Sequence, residues 1–258
     1  MSTNYRTMFE LAGKVAIVTG GGRGIGFAIA EGLGAFGARI VLGELDPQLC
    51  ADAERRLTEQ GIEVLGVPTD ITELDQLRGL FDRAEAAFGG VDILVNNAGI
   101  SARIAAEEYP DEDFQRMLDL NLTAVFRGMR EAAKRWIGAG RGGSIINLAS
   151  FAGIVADPMS APYAATKGAV VQMTRTCAVE WANHNIRVNA IGPGYVRTEM
   201  TAKTLDTPEA GAVIRAKTAL ARAGKPSEMA GAVIYLASDA SSYTTGHILM
   251  VDGGWTAM

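Results

Sequence analysis

The sequence predicts an α/β fold, doubly wound around a seven-stranded parallel sheet, and three observations carry that prediction. Short β-branched runs alternate with longer helical patterns, the first run ends in a glycine-rich turn, and the composition supplies a large apolar core. Of 258 residues 48% are hydrophobic, 21% are charged and 31 are glycine, well above the usual glycine share of ~7%. Such a chain needs many tight turns or close backbone approaches, and its length suits one large α/β domain. Disordered and fibrous architectures are excluded.

The strand-like runs are Lys14–Thr19, Arg39–Gly43, Glu63–Val67, Val91–Val95, Ser144–Leu148, Arg187–Ala190 and His247–Val251. Helical patterns near 25–36, 47–60 and 72–88 separate the first four. That alternation implies right-handed βαβ crossovers and a sheet covered on both faces. Two long helices are expected next, Asp111–Ile137 and Ser160–His184. Gly192–Thr207 reads as the least regular piece, followed by short helices near 208–218 and from Pro226 to Ser238. No linker, repeat or low-complexity tract divides the chain, so residues 1–258 are expected to form a single domain.

Composition also removes chemistries. Cys50 and Cys177 fall in helical stretches and read as reduced thiols rather than a disulfide scaffold. Only His184 and His247 are present, too few and too far apart for a zinc site or a Ser-His-Asp triad; no metal site is expected. A net charge of −5 and the lack of a basic cluster argue against nucleic acid. Residues 1–10 carry no apolar targeting core, and no segment approaches the ~18 apolar residues of a membrane span. A cytoplasmic protein without membrane partners is the expectation.

The first strand runs into Thr19-Gly20-Gly21-Gly22-Arg23-Gly24-Ile25-Gly26. Such a strand-to-helix turn lets the backbone approach a pyrophosphate while the helix N-terminus offers free N–H groups. Strict G-x-G-x-x-G spacing is absent, the pattern being G-x-x-x-G-x-G at Gly20, Gly24 and Gly26, and a merely tight turn would use the same letters. Glu44, at the end of the second strand, stands where a dinucleotide fold places an acid against the adenosine ribose. A carboxylate there accepts from a free 2′-hydroxyl and repels a 2′-phosphate, by up to about 4 kcal/mol at ~4 Å and an effective dielectric near 20. NAD is therefore expected over NADP, with Arg23 the one nearby base able to meet a 2′-phosphate. Asp70-Ile71 at the third strand end could reach adenine, although Asp70 also suits an N-cap for a helix from Thr72. Asn97, Ala98 and Gly99, after Asn96, close the fourth strand with amides to tie strands and small residues beside the ribose.

Ser150 follows the fifth strand, and Tyr163 and Lys167 are i,i+4 neighbours at the start of a long helix. A phenol is a poor base at neutral pH, but an adjacent ammonium and a cationic nicotinamide favour the phenolate. Tyr163 could then take the proton of an alcohol while Ser150 holds the substrate oxygen. Lys167 could also bind the nicotinamide ribose, and Asn121 could anchor a water that relays the proton. Taken singly, Tyr-x-x-x-Lys is also a common surface pair and Asn121 an ordinary helix-interior amide.

In order and spacing, Thr19–Gly26, Asn96–Gly99, Asn121, Ser150, Tyr163, Lys167 and Pro193-Gly194 closely resemble the short-chain dehydrogenase/reductase family over essentially the whole chain. The resemblance implies a Rossmann-type domain, metal-free hydride transfer on an alcohol or ketone substrate, and a homotetramer formed through helix Ser160–Val179 and the ending His247–Met258. It further implies that Pro193, Gly194, Val196 and Thr198 run past the nicotinamide and that residues 192–220 form a substrate lid. Asn4–Phe9, Pro193–Met200 and Val251–Trp255 look most like the members that oxidise sugar alcohols, galactitol-type polyol dehydrogenases among them. Candidate substrate-lining residues are Ser101, Arg103, Gly153, Asp157, Met159 and Tyr195, each of which would also serve as a solvated loop residue. The alternatives are an NADPH-dependent reductase of ketones or 3-oxoacyl thioesters, against which Glu44 argues, and a cofactor-binding regulator, which would ordinarily lack Tyr163 or Lys167.

Overall fold

A computed structural model describes residues 5–258, apart from the side chains of Met200, Lys203, Thr204 and Ala210. Asn4, part of the N-terminal resemblance, lies outside the described residues, as does the Met200 side chain. The first half of the chain alternates strand and helix: β1 (Val15–Thr19), α1 (Gly24–Ala35), β2 (Arg39–Glu44), α2 (Pro47–Glu59), β3 (Val64–Pro68), α3 (Leu74–Phe88) and β4 (Ile93–Asn96). Then come α4 (Asp111–Leu118), α5 (Val125–Gly138), β5 (Gly143–Leu148), α6 (Ala161–Trp181) and β6 (Ile186–Pro193). Helices α7 (Glu199–Leu205), α8 (Pro208–Lys217) and α9 (Ser227–Ala237) precede β7 (Ile248–Val251).

All seven strands pair in parallel in the order β3-β2-β1-β4-β5-β6-β7. Successive side chains of a strand point to opposite faces. In β1, Ala16 and Val18 enter one core with Ile29 and Leu33 of α1 and Val233 of α9. Val15 and Ile17 enter the other with Leu80 and Phe81 of α3 and Met129 and Trp136 of α5. Both faces are thus buried, and strand order reverses between β1 and β4. At that switch point the carboxyl ends of the strands flank an open crevice.

Three expected elements differ. The single helix Asp111–Ile137 is broken by a π-helical turn, Asp119–Ala124, where Asn121 is drawn out of the regular ladder by its bonds to Ile100. Gly192–Thr207 is more ordered than composition suggests. Gly192 and Pro193 complete β6, paired with Met250 and Val251, and α7 starts where the Thr198 N–H donates to Thr201 Oγ1 at 2.9 Å. The third concerns Asp70, which closes a turn on Thr72 while α3 begins only at Leu74. Cys50 and Cys177 are free and buried. No helix among the described residues is long and apolar enough to cross a membrane.

Candidate active site

The crevice is a cleft of about 1290 Å³, lined at one end by Gly20, Arg23, Gly24, Ile25, Gly26, Glu44, Asp70 and Ile71 and at the other by Ser150, Tyr163, Lys167, Pro193 and Val196. The glycine turn shapes its floor. Gly20 adopts φ +62°, a left-handed conformation, and a β-carbon on Gly26 would overlap the Gly20 carbonyl and the Asn97 amide. Helix α1 starts at Gly24 behind an extended Arg23 that contributes no side-chain cap. Its first N–H groups therefore lack an intrahelical partner and carry the positive end of the helix dipole.

Asn97 locks this turn from β4, its Nδ2 donating to the carbonyls of Thr19 at 2.9 Å and Gly20 at 3.0 Å. Thr19 Oγ1 in return accepts from the amides of Asn97 and Ala98. Thr19 is a functional position that sequence reasoning passed over, although a hydroxyl as the last residue before a glycine turn is a usable signal. Below it, Asn96 Nδ2 donates to Asn147 Oδ1 at 2.8 Å, and Asn147 Nδ2 to Thr174 at 3.0 Å. This buried chain staples β4, β5 and α6 together.

Glu44 Oε2 accepts from the Gly22 N–H at 3.0 Å, which holds its carboxylate against the glycine turn. Arg23 is turned outward to Glu199 Oε2, 3.0 Å away on α7. Any meeting of Arg23 with a 2′-phosphate would therefore compete with an ion pair that the sequence did not reveal. Asp70 Oδ1 accepts from both the amide and the hydroxyl of Thr72 at 2.9 and 2.6 Å, and Ile71 is buried in the wall beside it.

At the far end, Ser150 and Tyr163 both line the cleft, and Ser150 Oγ accepts from the Ala152 amide at 3.2 Å. Lys167, 4% exposed, donates to the Leu148 carbonyl at 2.6 Å and lies 5.7 Å from the centre of the Tyr163 ring. Burial pulls its ammonium down to about 8. Burial likewise pushes the Tyr163 phenol above its ordinary value, with the Ser150 hydroxyl acting the other way and the charge of Asp157 raising it further. The expected phenolate is therefore not favoured by this chain's own groups, because desolvation opposes the anion and the Lys167 Nζ is turned to a carbonyl. Asn121 is fully buried and both ends of its amide grip Ile100, N–H to Oδ1 at 2.9 Å and Nδ2 to O at 2.8 Å. That side chain clamps the backbone after β4. Gly99 sits between Asn121 and Lys167, its missing side chain leaving room for both.

Pro193, Gly194, Val196 and Thr198 all line the cleft. Val196 bridges Gly224 through its neighbours, Gly224 N–H to Tyr195 O at 2.8 Å and Arg197 N–H to Gly224 O at 2.9 Å. Of the six substrate candidates, Ser101 lines this cleft, Arg103, Gly153, Asp157 and Met159 do not, and Tyr195 lines a second cavity of about 380 Å³. Arg103, Asp157 and Tyr195 bind one another. Met159 is half exposed at φ +62°. Gly153 does not line the cleft, since its α-carbon packs on the backbone of Lys167 and Gly168, where a β-carbon would collide. An aromatic trio not foreseen, Phe151, Tyr195 and Trp255, meets with ring centres 5.1–5.2 Å apart and braces this end. Among the described residues no cluster of three or more His, Cys, Asp or Glu is placed to hold a metal ion.

These residues fit a dinucleotide: a glycine cradle that a β-carbon would fill, an uncapped helix start, an acid held beside it and a buried lysine at the far end. Comparison with known proteins agrees. A family model described as enoyl-(acyl carrier protein) reductase matches residues 20–256. The 5-keto-D-gluconate 5-reductase of Escherichia coli K12 is 38% identical over 96% of this chain and 97% of its own. Galactitol 2-dehydrogenase (L-tagatose-forming) of Cereibacter sphaeroides is 40% identical over 98% and 99%. A gluconate 5-dehydrogenase from Burkholderia cenocepacia, solved with NADP and tartrate, superposes with a TM-score of 0.94 at 37% identity, covering 99% of this chain and 100% of that one. The chain belongs to the short-chain dehydrogenases/reductases. It is an NAD(P)-dependent oxidoreductase acting on CH–OH groups.

Proposed function

We propose that the chain oxidises a secondary hydroxyl of a sugar-derived polyol, with Tyr163 as acid/base and NAD as the preferred cofactor. The observation that carries the reading is the meeting of Ser150, Tyr163 and Lys167 at the end of the cleft opposite the glycine turn. Bound there, the nicotinamide supplies the hydride acceptor. Ser150 orients the substrate oxygen, and Tyr163, as the phenolate that a bound cationic nicotinamide would favour, takes its proton. Lys167 holds positive charge under the ring below about pH 8, and its Nζ lies within the cleft wall where a ribose hydroxyl would pass. Asn121 positions Ile100 and Gly99 beside that path. Gly20, Gly24, Ile25 and Gly26 would hold the pyrophosphate, Glu44 the adenosine ribose, Asp70 and Ile71 the adenine, and Asn97, Ala98 and Gly99 the nearer ribose. Pro193, Gly194, Val196 and Thr198 would flank the nicotinamide.

NAD is favoured by Glu44, held at the ribose position by Gly22, and by the Glu199 partner that balances Arg23. A second reading, NADP, is favoured by the exposure of that pair, which a 2′-phosphate could open, and by the NADP held in the Burkholderia relative. Residues 1–258 act as one domain in this reading, with 192–220 as a lid that the Arg23–Glu199 pair draws over the cleft. Exposed Val179 on α6 and Met258 at the chain end suit the two faces of a homotetramer, and the free, buried cysteines suit a reducing, cytoplasmic setting. A screen of hexitols, secondary alcohols, ketones and 3-oxoacyl thioesters with NAD(H) and NADP(H), followed at the nicotinamide absorbance, tests the reading. Oxidation of hexitols mainly with NAD is expected. Turnover confined to NADPH-dependent reduction of acyl thioesters would overturn it.

A further inference from the structure

Three loops far apart in sequence place Arg103, Asp157 and Tyr195 in one closed polar set beside Tyr163. Arg103 Nη1 donates to Asp157 Oδ2 at 3.0 Å and to the Tyr195 hydroxyl at 3.1 Å, while Nη2 donates to the Pro158 carbonyl at 2.9 Å. The Tyr195 hydroxyl donates to the other carboxylate oxygen, Asp157 Oδ1, at 3.3 Å. The Ser160 hydroxyl sits 2.6 Å from the Asp157 carbonyl and 3.2 Å from Oδ2. The Asp157 side chain is 10% exposed and that of Arg103 39%. The set is held in place rather than left to solvent. Phe151 and Trp255 pack on the Tyr195 ring, and the Ile104 N–H donates to the Met159 carbonyl at 2.9 Å, joining the Arg103 loop to the Asp157 loop.

This arrangement bears on the charge of the substrate. Arginine grips a carboxylate best through two parallel N–H bonds; Arg103 Nη1 spends both hydrogens on Asp157 and Tyr195 and Nη2 spends one on Pro158, so the end-on fork is taken and only the Nε edge stays open. A carboxylate reaching Arg103 also meets the negative charge of Asp157, 3.0 Å from the same guanidinium, and that repulsion offsets part of the attraction. An uncharged hydroxyl meets no such opposition, and the lone pairs of Asp157 and Tyr195 remain available as acceptors.

We propose that Asp157, by neutralising Arg103, leaves the polar flank of the Tyr163 site without net charge and selects uncharged polyols over sugar acids. The inference rests on the polyol reading and adds a residue that sets specificity within it. Without Asp157 the free guanidinium would favour the sugar acid.

The test compares a panel of hexitols (galactitol, sorbitol, mannitol) with D-gluconate as substrates of the wild type, Asp157→Asn, Arg103→Met and the double variant. Binding of D-gluconate to the NADH complex by calorimetry is a readout independent of turnover, and NADH fluorescence reports whether each variant keeps its fold. The wild type is expected to favour its best hexitol over gluconate by at least about tenfold in kcat/KM. Asp157→Asn is expected to shrink that ratio by about tenfold or more and to tighten gluconate binding, and adding Arg103→Met should restore it. Should Asp157→Asn not fold, Arg103→Met alone decides: with Asp157 unpaired, the ratio should widen by about threefold or more. A wild-type ratio within threefold of unity, a ratio unmoved in an Asp157→Asn variant that still binds NADH, or one unmoved in Arg103→Met would overturn the role of Asp157 and leave the polyol reading standing. Failure to oxidise any hexitol with either cofactor would overturn both.

Discussion

The two ends of the cleft are built from different materials. The glycine-turn end is mostly backbone: Gly20 in a left-handed conformation, Gly26 against the Gly20 carbonyl, and the Asn97 amide bonded to main-chain oxygens. Side chains make the other end, Ser150, Tyr163 and Lys167, flanked by Arg103, Asp157 and Tyr195, which are joined across separations of up to 92 residues. Backbone geometry tolerates few substitutions and suits a ligand shared by many enzymes. Side-chain networks can be rewired by one replacement, and they suit the part of a site that tells substrates apart.

The contrast is open to four tests, beginning with the chemistry at the junction of the two ends. Tyr163→Phe keeps the ring and removes the proton-carrying oxygen, so kcat should fall by about a hundredfold or more while NADH binding survives. Steady-state kinetics within threefold of wild type would remove Tyr163 from the mechanism. Next comes the backbone end itself. Gly26→Ala forces a methyl into the Gly20 carbonyl and the Asn97 amide, with an expected loss of about 1–3 kcal/mol in denaturant unfolding and weaker NADH binding by fluorescence. Equal stability and affinity would show that the cradle yields.

Lys167 offers a test of burial. Its folded value near 8 lies below the ~10.4 of an exposed lysine. Between those values the unfolded chain holds a proton that the folded chain has released, so stability from this group rises with pH. Relative to Lys167→Met, the wild type should gain up to about 1.4 kcal/mol per pH unit in that window. Unfolding measured from pH 7 to 10 checks it, since a flat difference would mean the ammonium is solvated. The smallest effect belongs to Arg23→Ala. Its pair with Glu199 is 55% and 72% exposed, so unfolding should change by less than about 1 kcal/mol and KM for NAD by less than threefold. A larger shift would make the lid contact part of the cofactor site.

Legibility in the sequence followed the same division. The run Lys14–Thr19 into glycine, and the acid at Glu44 after the second β-branched run, are local patterns, and the structure places both on one crevice. Strand limits were read to within a few residues except at β6, where pairing with β7 carries the strand through Gly192 and Pro193 against their propensity. The π-helical turn was invisible because its cause, Ile100, lies 21 residues before Asn121. The setting of Gly153 was hidden for a similar reason: nothing near it in sequence shows that it packs on the backbone of Lys167.

By itself the sequence determined the doubly wound sheet and the element order, because periodicity and turn chemistry act through neighbouring residues along the chain, and the order of its motifs carried the resemblance to the family. Tertiary structure alone decided that Arg103 is taken by Asp157, that Arg23 faces Glu199, that Asn121 clamps a loop, and that burial moves Tyr163 up and Lys167 down. Charge pairing and desolvation depend on distance through space, and the fold sets those distances only once the chain has closed on itself.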